Sequence, residues 1–141
     1  MEKFTCSLTH DMSWPSKLST QNGLVIDFSK PPEYRGMHGT LTPEDAFVSS
    51  VITCIAATFD TIANKMHLKI TSYESEATGI VDRIDGVYKF SEISVKVTIR
   101  IPPETKAESA RKAFDMARSN CLVTASLSSP TSYELKLETT E

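Results

Sequence analysis

Apolar and polar positions divide the chain into strand-like and helix-like stretches. The clearest strand lies in "ISVKVTIRI", residues 93–101, where isoleucine and valine alternate with serine, lysine, threonine and arginine. A period of two places the apolar side chains on one face of a strand and the polar ones on the other. The pattern predicts a sheet that packs on helices with one face and meets water with the other.

The longest helical pattern runs from Pro43 to about Met66. Thr42 is a typical N-cap, Pro43 suits the first helical position, and Asp45 stands where a capping box places its acidic residue. Apolar residues then leave little of the circumference polar until the last turns. We predict a central helix over residues 43–66, roughly 36 Å long and buried on most sides.

Shorter patterns complete an α+β order. Two strands are predicted within residues 1–30, in "KFTCSLT" and "GLVIDFS", joined by a polar connection that contains Trp14 and Pro15. After the central helix come two strands across a turn around Asp82 to Gly86, an amphipathic helix in "ETKAESARKAFDMARS", a short helix in "NCLVTASL" and a strand in "SYELKLE". The predicted order is ββ-α-ββ-α-α-β, with helices covering antiparallel sheet.

The composition narrows the class of protein. A chain of 141 residues fits one domain, 1–141, with an ordinary globular share of apolar and charged residues. The net charge is −3 without a run of lysine and arginine, which disfavours nucleic acid as a partner. The first residues lack the pattern of a secretory signal, and the apolar run 46–59 is too short to cross a bilayer. We expect a soluble, cytoplasmic protein.

The three cysteines are the residues most able to carry redox chemistry. Cys6, Cys54 and Cys121 cannot all pair within one chain, and their wide spacing excludes a compact disulfide scaffold. Each one alone could be a buried apolar residue. Cys121 follows two good N-cap residues, so its sulfur is expected near a helix N-terminus, where the dipole favours a thiolate. Cys54 lies in mid-helix, where the amides are paired, and needs an external cation to become reactive.

A cation is available upstream of the central helix. Arg35 lies in "KPPEYRGMHG", a loop that its prolines and glycines keep irregular. Glu44, in the first turn of the helix, could hold the guanidinium in a bidentate pair. An ordinary surface arginine is an equal alternative on this loop.

Two of these stretches together resemble a known family. "TPEDAFVSSVITCIAATF" resembles the central helix of the OsmC/Ohr family of thiol-dependent peroxidases, and "ARSNCLVTASL" resembles the segment with that family's second cysteine. The loop arginine, the order of elements and the length also agree. The resemblance therefore covers essentially the whole chain.

The resemblance assigns a role to each site residue. It implies that Cys54 is the peroxidatic cysteine, Cys121 the resolving cysteine and Glu44 the carboxylate that pairs with an arginine. Arg35 matches the loop arginine of the OsmC-like branch. Leu122 departs from the family, in which proline frequently follows the second cysteine, and leaves the turn geometry there an open question.

The resemblance also implies an activity. Organic hydroperoxides would be reduced to alcohols through a Cys54 sulfenic acid and a Cys54–Cys121 disulfide. No bound cofactor is expected, and a dihydrolipoyl-type or other external dithiol would reduce the disulfide. An apolar substrate pocket could be formed by side chains that could equally be core: Met37, Phe47, Ile55, Phe59 and Met116.

An intertwined homodimer with sites at the subunit interface is a further implication of the resemblance. On one helix, Glu44 and Cys54 lie about 15 Å apart along the axis. Arg35 must therefore bridge much of that distance, or Glu44 must come from the other chain.

Two other functions stay open on sequence grounds. An OsmC-like protein that binds a small ligand or a thiol, with little peroxidase turnover, would share the fold. A zinc site could draw on His10, His38 and His67 with the cysteines, but none of them has the paired spacing of metal ligands. We therefore expect no metal.

Overall fold

The computed structural model describes residues 1–141, in two compact units of residues 1–47 and 48–141. Its elements are β1 (Cys6–Thr9), β2 (Ser16–Thr20), β3 (Val25–Phe28), a 3-10 turn (Pro32–Tyr34), α1 (Pro43–Lys65), β4 (Ser72–Ile84), β5 (Val87–Ile101), α2 (Ala107–Ser119), α3 (Leu122–Ala125) and β6 (Thr131–Thr139). The α+β class is confirmed. A single domain over 1–141 stays a prediction.

The first unit contains an antiparallel sheet in the order β1-β2-β3. Its middle strand was predicted to be a polar connection, and that prediction is wrong. β2 has only one large apolar side chain, Leu18, so alternation along the sequence gave no signal. Its backbone nevertheless pairs on both sides, with Leu18 opposite Leu8 and Ile26. Pairing with two neighbours, rather than an apolar face, makes this segment a strand.

The loop between β3 and α1 is shaped by close backbone contacts. The buried Ser29 hydroxyl accepts a hydrogen bond from the Met37 N–H at 2.9 Å. Gly36 is required by space, since a Cβ there would lie 1.5 Å from the Lys30 carbonyl oxygen. Arg35 itself has a left-handed backbone, with φ at 69°. The loop therefore holds Arg35 in one defined backbone conformation.

α1 begins as the sequence predicts. The Asp45 N–H donates to the Thr42 hydroxyl at 3.1 Å, which satisfies one of the free amides of the first turn. Thr42 is therefore confirmed as the N-cap, and the helix ends within one residue of the predicted position.

The second unit contains a three-stranded sheet in the order β4-β5-β6. β4 and β5 form a long antiparallel hairpin whose turn is Asp85–Gly86, both with positive φ, as tight hairpin turns require. β6 runs parallel to β5, so the prediction of purely antiparallel sheet is wrong for this pair. α2 and α3 connect the two strands, and such a crossover allows a parallel neighbour.

The core of the second unit follows the predicted alternation along β5. The inward side chains of that strand are at most 2% exposed: Ile93, Val95, Val97, Ile99 and Ile101. α2 adds a buried stripe of small residues and one aromatic ring: Ala110, Ala113, Phe114 and Ala117. These apolar faces cover each other, and they account for the stability of the unit.

α1 is less buried than its sequence predicts. Its buried side chains form a single stripe with a spacing of four residues: Val51, Ile55, Phe59 and Ala63. The helix is long and apolar enough to cross a membrane by length and composition alone, and 22% of its most apolar window is buried. The core helix of a soluble protein also meets those criteria. The prediction that this helix is buried on most sides is therefore wrong for the single chain.

Candidate active site

Cys54 and Cys121 meet in the second unit. Cys54 lies in the middle of α1 and is half-buried, whereas Cys121 is 1% exposed and forms the N-cap of α3. The Cys121 thiol is placed to donate a hydrogen bond to the Cys54 sulfur. Both cysteines are free thiols in this structure. Two of the four predicted catalytic residues are thus in contact.

The surroundings of Cys54 favour its thiolate. Burial raises the pKa of the Cys54 thiol, but hydrogen bonds outweigh burial and lower the pKa below its ordinary value. In decreasing order of effect, the groups that lower it are the N–H of Val123, the thiol of Cys121, the hydroxyl of Thr58 and the N–H of Leu122. The Thr58 hydroxyl itself donates to the Cys54 carbonyl at 2.8 Å. The amides that open α3 therefore serve Cys54. Cys121 lies at this helix N-terminus, as the sequence predicts. The expected preference for a thiolate there is wrong, because burial raises the pKa of Cys121.

The surroundings of Cys121 favour its protonated thiol. Burial raises the pKa of Cys121, and the neighbouring Cys54 sulfur raises it further. The hydroxyl and N–H of Thr124 oppose this shift without reversing it. As pH rises, Cys54 therefore ionises first and Cys121 keeps its proton. Of the two thiols, Cys54 is therefore the one expected to be more nucleophilic, with Cys121 as the hydrogen-bond donor.

A groove of about 640 Å³ opens beside Cys54. Its walls come from the exposed side of α1 and from the segment around α3, and most of the lining side chains are apolar or carry a hydroxyl. Met116, predicted to bind substrate, lines this groove together with Ile62, Met66 and Leu122. A small apolar molecule entering the groove would reach the Cys54 sulfur.

The other predicted substrate-binding side chains lie elsewhere. Ile55 and Phe59 belong to the buried stripe of α1, and the Phe59 ring packs on Tyr73 with centroids 5.2 Å apart. Met37 and Phe47 lie in the first unit, where Met37 is exposed and Phe47 half-buried. Within the second unit, the groove beside Cys54 therefore includes only Met116 of the predicted set.

Arg35 and Glu44 do not pair within the chain. Arg35 is exposed and takes part in none of the five ion pairs. One oxygen of Glu44, Oε2, is buried without a hydrogen-bond partner. A buried carboxylate oxygen without a donor costs stability, so this oxygen is a site that a donor from outside the chain would satisfy.

The sequence as a whole places the chain in a family. Residues 36–136 match the family described as OsmC-like protein. The chain belongs to the OsmC family. A search of curated protein sequences found no match.

Solved structures of OsmC relatives share the fold. An OsmC-like protein of unknown function from Vibrio cholerae has 20% identity and a TM-score of 0.87, covering 96% of this chain and 99% of its own. An OsmC-like protein from Mycoplasma pneumoniae has 15% identity and a TM-score of 0.81, covering 97% and 98%. An organic hydroperoxide resistance protein from Elizabethkingia anophelis has 16% identity and a TM-score of 0.73, covering 99% and 98%.

Several polar groups around the cysteines of this OsmC protein were not identified from the sequence. The Tyr73 hydroxyl is buried without a hydrogen-bond partner, and burial together with the negative charges of Cys121 and Tyr133 raises its pKa to about 12. Tyr133 lies close enough to interact with Cys121, Cys54 and Thr124. The alternation of β4 and β6 puts both tyrosines on inward positions. That alternation is the one signal in the sequence that could have indicated them.

Proposed function

We propose that this OsmC-family protein is a thiol-dependent peroxidase that reduces organic hydroperoxides to alcohols. The contact between Cys54 and Cys121 carries the proposal, because one thiol has a lowered pKa and the other is a buried proton donor beside it. A thiolate is the form that attacks peroxides. A second thiol in contact with it can form a disulfide without a large rearrangement.

The chemical steps follow from these two thiols. The Cys54 thiolate attacks one peroxide oxygen, the O–O bond breaks, and the alkoxide takes up a proton and leaves as the alcohol. Cys54 is then a sulfenic acid. Cys121 attacks the Cys54 sulfur, the S–O bond breaks, and water leaves, so that a Cys54–Cys121 disulfide forms. An external dithiol, of the dihydrolipoyl type or in a protein, reduces this disulfide through a mixed disulfide.

The groove supports an organic peroxide as substrate. Its apolar lining beside Cys54 suits an alkyl or aryl group better than it suits hydrogen peroxide. The relative from Elizabethkingia anophelis is named an organic hydroperoxide resistance protein, which favours the same class. Met116 keeps its proposed role in substrate binding.

A homodimer would complete the site. The uncovered apolar side chains of α1 need a partner surface, and the buried Glu44 oxygen needs a donor. We place Arg35 opposite such a carboxylate in the intertwined dimer. There its charge would lower the pKa of Cys54 further and its N–H groups would steady the peroxide oxygens as negative charge develops.

One stoichiometric experiment tests the function. Reduced protein receives one equivalent of cumene hydroperoxide, and peptide mapping identifies the product. We expect a Cys54–Cys121 disulfide in the wild type and none in Cys54→Ser. Unchanged thiols at millimolar peroxide would exclude the peroxidase and leave a ligand-binding OsmC protein as the explanation.

A further inference from the structure

Thr124 stands between the resolving cysteine and a tyrosine. It lies in α3 and is half-buried, and its hydroxyl donates to the Cys121 carbonyl at 3.2 Å. The same hydroxyl lies near the Cys121 thiol and the Tyr133 hydroxyl and lowers the pKa of each. A hydroxyl hydrogen turns about its C–O bond, so the Thr124 hydrogen can be redirected away from the carbonyl.

Tyr133 is held in place beside Thr124. The Phe114 ring meets the Tyr133 ring edge-on with centroids 6.2 Å apart, and the Arg118 guanidinium lies 4.4 Å from the Tyr133 centroid. Burial raises the pKa of Tyr133, so its hydroxyl keeps its proton near neutral pH. A protonated tyrosine can donate to the Thr124 oxygen, which leaves the Thr124 hydrogen free to point towards Cys121.

In the resolving step, the Cys121 sulfur needs a hydrogen-bond donor that the amides of Val123 and Leu122 do not supply. The Cys121 sulfur becomes negative as it loses its proton, and its burial disfavours that charge. The N–H groups of Val123 and Leu122 are directed at Cys54. Thr124 is the residue that lowers the pKa of the Cys121 thiol most, and its hydroxyl already bonds to the backbone of Cys121.

We propose that the Thr124 hydroxyl controls the resolving step by donating a hydrogen bond to the Cys121 sulfur as that sulfur attacks the Cys54 sulfenic acid. In this step the S–S bond forms, the Cys54 S–O bond breaks, and the leaving hydroxide takes the Cys121 proton and departs as water. The inference rests on the proposed peroxidase cycle. It adds a residue that acts on the second step and leaves the first step unaffected.

Single-turnover kinetics separate the two steps. Reduced wild type and Thr124→Val are mixed with one equivalent of cumene hydroperoxide, and dimedone trapping and intact mass follow the sulfenic acid and the disulfide. In Thr124→Val we expect sulfenic acid at the wild-type rate and disulfide about tenfold more slowly. With excess peroxide, the longer-lived sulfenic acid should be oxidised further to sulfinic acid.

Two variants serve as matched controls. Thr124→Ser keeps the hydroxyl and should restore the wild-type rate of disulfide formation, which a loss of packing at this position would not explain. Thr58→Val removes the hydroxyl that interacts with Cys54, so it should slow sulfenic acid formation and leave the later step unchanged. Thr124→Val is thus expected to slow disulfide formation, and Thr58→Val to slow sulfenic acid formation.

The pH dependence gives a third readout. The titratable groups facing Cys121 are Cys54, Tyr73 and Tyr133, with Arg118 over the Tyr133 ring. Loss of the Thr124 donor should move the pH profile of disulfide formation to higher pH, whereas a structural defect would lower the rate equally at every pH. Both tyrosines have raised pKa values, so they stay protonated in a pH profile measured around neutral pH.

The outcomes distinguish this inference from the proposed function. If wild-type Cys54 forms no sulfenic acid with the peroxide, the proposed function fails and the inference fails with it. If sulfenic acid forms normally and Thr124→Val makes the disulfide as fast as the wild type, the inference is wrong and the peroxidase stands. Slow disulfide formation in both Thr124→Val and Thr124→Ser would also overturn it.

Discussion

The backbone N–H of Val123 lies beside the sulfur of Cys54 and does most, among the neighbouring polar groups, to lower the pKa of that thiol. This contact joins the first turn of α3 to the middle of α1. It places the partial positive charge of free helical amides on a sulfur that has no such amides in its own helix. The pKa of the Cys54 thiol is therefore lowered by groups of its own chain, without a cation.

The N–H of Leu122 can be deleted by substitution with proline. Leu122 is the first residue of α3 and 67% exposed, and Cys121 before it is extended, so proline fits at this position. Leu122→Pro should raise the pKa of Cys54 and slow its reaction with limiting peroxide at neutral pH, by at most about tenfold. Stopped-flow mixing with cumene hydroperoxide measures the rate.

Leu122→Ala is the matched control, since it removes the side chain and keeps the N–H. Its rate measures the effect of losing this groove-lining side chain, and Leu122→Pro should react more slowly than Leu122→Ala. Equal rates for Leu122→Pro and Leu122→Ala across the pH range would show that this amide does not stabilise the thiolate. The family's frequent proline at this position would lack the same donor.

The two thiols should separate in a pH titration of alkylation. In a Cys6→Ser background, the rate of the first alkylation by iodoacetamide should reach half its maximum below the ordinary cysteine pKa of about 8.5. Mass mapping should place that label on Cys54. Cys121 should react only at higher pH, because burial raises its pKa.

Cys121→Ala provides the control for this titration. The Cys121 thiol is one of the groups that lower the pKa of Cys54, so the variant should shift the Cys54 titration upwards. Preferential labelling of Cys121 at low pH would reverse the assignment of nucleophile and resolving thiol.

The Tyr73 hydroxyl should cost the folded protein stability. It is buried without a hydrogen-bond partner, and removing such a group relieves a penalty of about 1 kcal/mol. Tyr73→Phe should therefore raise the free energy of unfolding in urea. Tyr133→Phe is the control, because its hydroxyl interacts with Thr124 and its loss should bring no gain.

Ionisation of the Tyr73 hydroxyl should make the folded protein less stable at alkaline pH. The pKa of Tyr73 is about 12 when folded, above the unfolded value of about 10. The folded state therefore holds the proton longer, and stability is lost as pH rises from about 10 towards about 12. Tyr73→Phe should lose less stability than the wild type between about pH 8 and about pH 11. Equal losses would mean that Tyr73 titrates normally.

Local signals explain which elements could be predicted. α1 has a cap and a long apolar pattern, and β5 has strict alternation, so each is specified by its own residues. β2 and the parallel β5–β6 pair depend on partners far along the chain, which a local pattern does not specify. The elements that were missed are those whose stability comes from pairing.

The candidate site also has parts that the sequence indicates and parts that it does not. Cys54 and Cys121 could be identified because their local sequence resembles a family. The donors around them could not, since Val123 reaches Cys54 through its backbone and any residue type supplies an N–H. Tyr73 also could not be identified, because it lies on β4, far along the chain from Cys121. The electrostatics of the two thiols thus follow from tertiary structure, while their identity follows from sequence.

Mixed dimers should show which chain supplies Arg35. Glu44 and Cys54 lie about 15 Å apart on one helix, and the Glu44 oxygen lacks a donor within its own chain. The missing donor favours an Arg35 from the other chain, and such an arginine, if it bridges much of this distance, acts on the Cys54 of the same chain as that Glu44. We therefore expect Arg35 to act on the Cys54 of the other chain. Arg35→Met and Cys54→Ser should each lose most of the peroxidase activity alone. Co-expressed with different tags and purified as hybrids, they should recover one working site in each dimer.

The hybrid contains one intact Cys54 and one intact Arg35, on different chains. If Arg35 served its own chain, this Cys54 would lack its cation and the hybrid would stay as inactive as its parents. A hybrid of Cys121→Ala with Cys54→Ser is the control, because the two thiols of a site come from one chain and no complete pair remains. Turnover of cumene hydroperoxide by the first hybrid and none by the second would place the arginine across the interface. Activity in neither hybrid, with both correctly dimeric, would place it within the chain.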